Sequence, residues 1–223
     1  MTHLPYDFWC HHLTDVDCQW RTVDWNSRIV VKGLKAEPFN GYMEVKIGGA
    51  PRRIDSDNIN ELIDLILPAI GRKLRNDIAS PISIVPIPNS GMAVGANGPF
   101  RAVELAQKVA HGFGIGATVC PAIRWDAPRQ KAHQSHDYRH PDLYEPHMQL
   151  MAQPQAPIVL FDDVLTSGSQ MIAAARMLTK KGFPPQRGLV VARATKIQHE
   201  GGLWSRRSDA LDLSDEPSDF DEF

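Results

Sequence analysis

The spacing of apolar positions changes character near residue 81. Before it the pattern is mixed. Residues 1 to 27 show little periodicity, with Trp9, Trp20 and Trp25 as aromatic punctuation. Arg28 to Leu34 and Tyr42 to Ile47 read as strands connected through a turn at Asn40-Gly41. In the second of these, Tyr42, Glu44 and Lys46 alternate with Met43, Val45 and Ile47. Asp57 to Leu74 reads as a helix. Ile59, Leu62, Ile63, Ile66, Leu67 and Ile70 make an apolar stripe, Ser56 or Asp57 supplies a cap, and Pro68 falls where it would kink or end the element.

After residue 81 strands and helices alternate. Ile82 to Ile87 is a short apolar strand, Asn89 to Gly98 a glycine-rich loop, and Pro99 to His111 a helix with Pro in its first turn. Ala117 to Ile123 reads as a strand, and residues 124 to 155 as a long polar connection. Residues 158 to 162 form the next strand and 169 to 181 a helix stopped by Gly182 and two prolines. Leu189 to Ala194 is the last clear strand. This alternation predicts an α/β fold: a Rossmann-like parallel sheet flanked by helices, with right-handed crossovers. Three stretches are expected: an N-terminal α+β appendage or hood over 1–80, a core over 81–200, and a tail over 201–223. In such sheets ligands bind beyond the carboxyl ends of the strands. The loops starting at Asn89, Arg124 and Asp162 all begin there.

The chemistry concentrates in Ile158 to Gln170. Four apolar residues lead into Asp162 and Asp163, and Val164-Leu165-Thr166-Ser167-Gly168-Ser169-Gln170 then opens a helix. Backbone N–H groups and a helix N-terminus in that turn suit an anionic phosphate. The paired acids beside it suit sugar hydroxyls or a hydrated Mg²⁺. An ordinary strand–turn–helix with a capping Asp pair is the plainer alternative.

This stretch resembles the motif by which type I phosphoribosyltransferases bind 5-phosphoribosyl 1-diphosphate (PRPP): an apolar strand, two acids, two apolar residues, then Thr-Ser/Thr-Gly-x-Thr. Gln170 is the departure, where many members have Thr and orotate-type members do not. The resemblance covers residues 81 to 194 and implies the type I phosphoribosyltransferase fold with a variable hood. It also implies Mg²⁺-dependent transfer of 5-phosphoribosyl to an acceptor nitrogen with release of diphosphate. By it, Thr166, Ser167, Gly168, Ser169 and Gln170 hold the 5′-phosphate. Asp162 and Asp163 bind the ribose hydroxyls, directly or through Mg²⁺. Asn89, Ser90, Gly91 and Met92 cradle the diphosphate. The basic connection closes over the substrate as a lid, with Arg129 and Lys131 as its first catalytic candidates. The spacing of Gln130, His133, Arg139 and Leu143 loosely resembles ComF-type proteins. Members that use 6-oxopurines carry an Asp at the position of Thr166. A Thr hydroxyl does not titrate near neutral pH, which argues against hypoxanthine, guanine or xanthine as acceptor.

Composition and charge add boundaries. The chain has 223 residues and is 43% apolar, enough for a real core. No apolar run approaches the roughly 18 residues of a membrane span. The N-terminus lacks the positive-then-apolar pattern of a secretory signal. Cys10, Cys18 and Cys120 make no disulfide framework, so a reducing cytoplasm is expected. Cys10, His11, His12 and Cys18 lack the paired spacing of a structural zinc site. Residues 208–223 hold seven acids and no Lys or Arg and are expected to be a solvated, disordered end. Without them the 24 basic residues face 19 acids, so the body carries +5. That suits a diphosphate substrate without establishing a nucleic-acid surface. A non-catalytic reading stays open: a PRPP or nucleotide sensor, a ComF-like accessory, or a phage-defence effector with a nucleic-acid or protein partner. The unmatched first 80 residues, the His-rich connection and a diphosphate loop without a basic residue keep it open. Dimers are usual among proteins of this type.

Overall fold

The computed structural model describes residues 2–129, 140–155 and 157–214. Its elements in chain order are β1 (His3–Phe8), β2 (Cys10–Leu13), α1 (Thr22–Leu34), β3 (Met43–Ile47), β4 (Ala50–Ile54), α2 (Ile59–Arg75), β5 (Ile82–Pro86), α3 (Arg101–Phe113), β6 (Ala117–Val119), β7 (Ile123–Trp125), β8 (Met148–Leu150), β9 (Ile158–Leu165), α4 (Ser169–Lys180), β10 (Arg187–Thr195) and β11 (Arg207–Asp212). Two single 3-10 turns, Pro141–Leu143 and Glu145–His147, precede β8.

The central sheet runs β11-β1-β10-β9-β5-β6, and β2 also pairs with β10. All its pairings are parallel except β1 with β11. The protein is thus a mixed α/β fold with a mostly parallel sheet flanked by helices. Ile158, Val159, Leu160 and Phe161 of β9 are all buried, as a central parallel strand covered on both faces requires. One apolar layer joins α1, α2 and α3 to the sheet through Leu34, Leu67, Val109, Phe113, Phe161 and Val191. The other packs α4, through Ala174 and Leu178, on Leu160, Val190, Val85 and Tyr6, with Trp125 and Met148 of the β7–β8 hairpin at its rim. Helices α2 and α3 approach most closely at Gly71 and Gly112. Helix α2 runs through Pro68 to Arg75, so the proline does not end it. Among the described residues no helix is long and apolar enough to cross a membrane.

Several elements differ from the pattern-based reading, each for a physical reason. Arg28 to Leu34 is the second half of helix α1, not a strand. Asp24 sets the helix start by accepting the Arg21 N–H at 2.9 Å and pairing with its guanidinium. Burial of Ile29, Val30, Val31 and Leu34 then overrides the β-preference of the Ile-Val-Val run. The hairpin is therefore β3 with β4, turning at Gly48-Gly49, both with positive φ as that turn demands. Residues 117–123 split into β6 and β7. Strand β9 continues past the two acids to Leu165.

Strands β1 and β2, from the segment without periodicity, belong to the central sheet. They form one line along β10, interrupted at Trp9, whose N–H bonds Val191 O at 3.1 Å. Residues 207–212, inside the expected tail, form β11. Buried Leu211 and the Asp209 carboxylate, which meets Tyr6 and Arg193, fix it there. Nearby, Asp7 of β1 is almost fully buried. It is held by Arg187, Arg206 and Ser208, which ties β1, β10 and β11 together.

Candidate active site

The parallel register puts the critical loops side by side. Pro86 of β5 lies opposite Phe161 of β9, and Ile87 N–H bonds Phe161 O at 2.8 Å. The β5 loop therefore leaves the sheet next to Asp162 and Asp163. On the other flank Val190, Ala192 and Arg193 of β10 pair with Asp162, Val164 and Leu165. Cys10 to Leu13 of β2 continue alongside the end of β10.

The two acids are only partly exposed and lie close enough to feel each other's charge. Removal from water pushes the Asp162 carboxyl well above the usual carboxylate range, and the Asp163 charge adds to this. Burial also raises Asp163, opposed by the Lys35 ammonium and the Val164 N–H. Asp162 Oδ1 accepts the Asp163 N–H at 2.9 Å and Asp163 Oδ1 accepts the Val164 N–H at 2.7 Å. Two adjoining carboxylates held in this way favour a cation or hydroxyl donors that relieve their repulsion. Among the described residues no group of three His, Cys, Asp or Glu side chains is placed to hold a metal.

The turn after β9 runs Thr166-Ser167-Gly168. Thr166 is exposed, while Ser167 and Ser169 are buried with their hydroxyls 2.9 Å apart. Gly168, with φ +79°, is the residue before α4 and gives no side-chain cap to it. Gln170 is partly exposed in the first turn. No acid stands in the first turn of α4, whereas α1, α2 and α3 each carry one: Asp24, Glu61 and Glu104. This end of α4 keeps its positive dipole for an anion. Gly168 is required twice over, by its φ and because an added Cβ would lie 2.8 Å from Leu211 Cδ2. Gly168→Val is expected to cost about 1–3 kcal/mol from backbone strain alone, read as a lower midpoint in urea unfolding. An unchanged midpoint would contradict this conformation.

The β5 loop is braced from within. Asn89 Oδ1 accepts the Gly91 N–H at 3.1 Å, Asn89 O accepts the Met92 N–H at 2.9 Å, and Gly91 O accepts the Ala93 N–H at 2.9 Å. Trp125 Nε1 donates to Pro88 O and Asn89 O, and Met92 is fully buried. Arg129 joins this loop: its N–H bonds Ser90 O at 3.1 Å, and its guanidinium lies over the Trp125 and Tyr144 rings at 5.1 and 5.4 Å. Gly91 is not sterically required, since an added Cβ would meet nothing nearer than Asn89 Oδ1 at 3.6 Å. Gly91→Ala should leave the melting point of the free protein within the change of about 0.5 kcal/mol typical of neutral surface sites. A larger loss would mean that the loop's fold itself needs the glycine.

Of the residues singled out from the sequence, the turn 166–170, the acid pair, the β5 loop and Arg129 line the same edge of the sheet. Lys131, with Gln130, His133, His136 and Arg139, lies outside the described residues. Arg101 stands partly exposed at the start of α3. Its guanidinium caps the end of α1 at Leu34 O and Gly33 O, at 2.9 and 3.0 Å. His199 stacks on His11 with ring centres 3.8 Å apart and hydrogen-bonds Thr195.

Sequence reasoning missed Lys35, whose charge acts on Asp162, Asp163 and His12. It follows α1 and precedes Ala36, whose φ of +52° is unusual for a residue with a Cβ. The strand reading of 28–34 hid it. Read as a helix, the same residues put Arg28 and Lys35 seven apart, on one face.

No family model and no curated protein matches the sequence. Solved structures similar to it include the orotate phosphoribosyltransferase from Aeropyrum pernix, at 15% identity over 75% of this chain and 83% of that chain, with TM-score 0.37. A hypoxanthine phosphoribosyltransferase from Staphylococcus aureus is similar at 12% identity, over 62% of this chain and 69% of that one, with TM-score 0.34. The adenine phosphoribosyltransferase from Saccharomyces cerevisiae, complexed with an imino-altritol bisphosphate and adenine, is similar at 10% identity. It spans 74% of this chain and 88% of that one, with TM-score 0.37.

Proposed function

We propose that this chain is a phosphoribosyltransferase that moves 5-phosphoribosyl from PRPP to an acceptor nitrogen and releases diphosphate. One observation carries the reading. An acid pair on a central parallel strand runs directly into an uncapped glycine turn and a helix N-terminus, with the β5 loop alongside. The N–H groups at the start of α4 and the Thr166 and Gln170 side chains hold the 5′-phosphate. Asp162 and Asp163 take the ribose 2- and 3-hydroxyls. Ser90 and Arg129, at the β5 loop, face the diphosphate, with Lys131 as a further candidate. The C1–O bond to diphosphate breaks as the acceptor nitrogen bonds C1, and the electron pair leaves on the diphosphate. These residues mainly position the reactants and exclude water.

The acid pair also fits Mg²⁺. Two carboxylates, with the rest of the shell from water and substrate oxygens, are the donors that ion prefers, and their mutual repulsion falls when a cation is near. When bound, Mg²⁺ would neutralise charge on the departing diphosphate. Thr166 in place of a titratable base speaks against 6-oxopurine acceptors.

The test is thermal unfolding with PRPP and Mg²⁺ against ribose 5-phosphate, AMP, UMP and Mg²⁺ alone. A ligand at a hundred times its dissociation constant adds about 2.7 kcal/mol, and diphosphate release over a set of bases follows. Absence of any shift with PRPP would overturn the reading. One observation favours a second reading, a nucleotide sensor without catalysis. The Gly91, Met92 and Ala93 N–H groups are already spent inside the β5 loop, and no basic residue lies within Asn89–Ala93. Stabilisation by PRPP with no diphosphate release over any base would support it.

A further inference from the structure

Helix α1 lays one face along the sheet edge that carries the acid pair. Val31 packs among Cys10 of β2, Val164 of β9 and Ala192 of β10. Three residues before it on that face stands Arg28, and four after it Lys35. Lys35 acts on both Asp162 and Asp163, and both cations act on His12 of β2. His12 is partly buried, and its Nδ1 is buried without a hydrogen-bond partner. Such an atom costs stability unless a ligand or a water satisfies it. Burial, with the Lys35 and Arg28 charges, lowers His12 to about 4, so the ring is neutral at physiological pH. The Arg28 guanidinium is held in place by two indoles, with its carbon 5.2 Å from the Trp20 ring centre and 5.9 Å from that of Trp25. Those rings pack at 4.8 Å.

Resting on the phosphoribosyltransferase reading above, we infer that Arg28, Lys35 and His12 form the acceptor side of the site, and that the acceptor is a planar nitrogen heterocycle bearing a carboxylate. The charge pattern supplies the reason. The acid pair selects the sugar and repels an anion, whereas the α1 face beyond it offers two cations and one neutral imidazole. A guanidinium pinned over aromatic rings is preorganised for a planar carboxylate, which it binds with two parallel hydrogen bonds. The unpartnered Nδ1 of His12 meets a polar ring substituent. An uncharged purine would leave both cations unused. In the reaction the heterocycle nitrogen bonds ribose C1 as the C1–O bond breaks and its electron pair leaves on the diphosphate; an N–H nitrogen, as in orotate, gives up its proton to the diphosphate, whereas a pyridine nitrogen has none to lose and becomes a pyridinium.

The experiment uses the full chain with PRPP and Mg²⁺ and reads diphosphate release. Orotate, nicotinate and quinolinate are the carboxylated probes; adenine, uracil and hypoxanthine are the uncharged ones. Release with a carboxylated probe and none with the uncharged ones is expected. Arg28→Gln and His12→Gln should each raise the acceptor KM by about ten- to a hundredfold, the loss of a charge-assisted or buried hydrogen bond. The PRPP-induced melting shift should stay as in the parent, which also reports that the variants fold. Arg28→Lys should recover only part of the loss, because it keeps the charge without the fork. Turnover of uncharged bases alone, or an unchanged acceptor KM in both Gln variants, overturns the inference while PRPP binding stands. PRPP binding without release from any probe overturns it as well. Failure of the parent protein to bind PRPP overturns the underlying reading instead.

Discussion

Asp162→Asn combined with Asp163→Asn should abolish binding of PRPP while raising the melting temperature at neutral pH. Asn keeps the oxygen that accepts the Asp163 and Val164 N–H groups, so the local backbone has no reason to move. What disappears is two carboxyl groups whose charged forms burial and mutual repulsion disfavour. The sign follows from linkage. A carboxyl whose folded pKa lies above its unfolded one contributes stability below the unfolded pKa and loses it as pH rises through the folded value. At pH 7, above the unfolded pKa of both, the pair therefore opposes folding whether it is held charged or takes up a proton, and neutral Asn relieves it. Each kcal/mol of relief moves the midpoint by about 2–4 °C for a chain of this size. The advantage of the double variant should shrink in acid, where the parent carboxyls are already protonated. Paired melts at neutral and acid pH, with and without PRPP and Mg²⁺, measure all of this. A double variant that binds PRPP like the parent would mean that the acids are structural. One that melts lower at pH 7 would mean that their charges are better compensated than their surroundings indicate.

Gly112→Ala should be strongly destabilising for the addition of a single methyl. In an isolated helix the change is favourable by about 1 kcal/mol. Here the new Cβ would fall onto Pro68 backbone atoms of α2, and a Cβ at Gly71 would fall reciprocally onto Val109 O of α3. Both helices are anchored by fully buried neighbours, Leu67, Val109 and Phe113, so neither backbone can yield cheaply. Overpacking of this kind costs about 3 kcal/mol, the upper part of its usual range, or a drop of roughly 6–12 °C at about 2–4 °C per kcal/mol. Calorimetry of the variant decides it, and an unchanged or higher midpoint would mean that the helices cross elsewhere.

The parts of the fold that declare themselves along the chain are those whose local pattern and tertiary setting agree. Residues 158–161 are apolar on both sides because helices cover both faces, and Gly168 sits where only a left-handed residue fits. The long stripe of α2 agrees with its burial too. The failures share the opposite cause. The Ile-Val-Val run of α1 has strand chemistry, and only its packing against β2 and β9 makes it a helix. Strands β1, β2 and β11 are short and carry acids, prolines and histidines, and they are strands because β10 and one another complete their hydrogen bonds. For the candidate site, the acid pair, the turn and the β5 loop were legible as contiguous motifs. Arg28, Lys35 and His12 were not, because they meet only through a helix and a strand distant from the motif.

The placement of β1 also governs how the protein is assembled. His3–Phe8 is the first strand of the sheet to leave the ribosome, yet both its partners, β10 and β11, are among the last. Thr2 O even accepts the Leu213 N–H at 2.7 Å. Closing so long a loop of chain is entropically demanding, and non-local pairing of this kind slows folding. Until residues near 187 are synthesised, β1 and β2 have no edge to join. The alternating β5–α4 region can collapse first, and the N-terminal strands dock late against β10. The side of the sheet beyond β10 is thus completed only after β10 is made, and a nascent chain lacking β10 should remain open there.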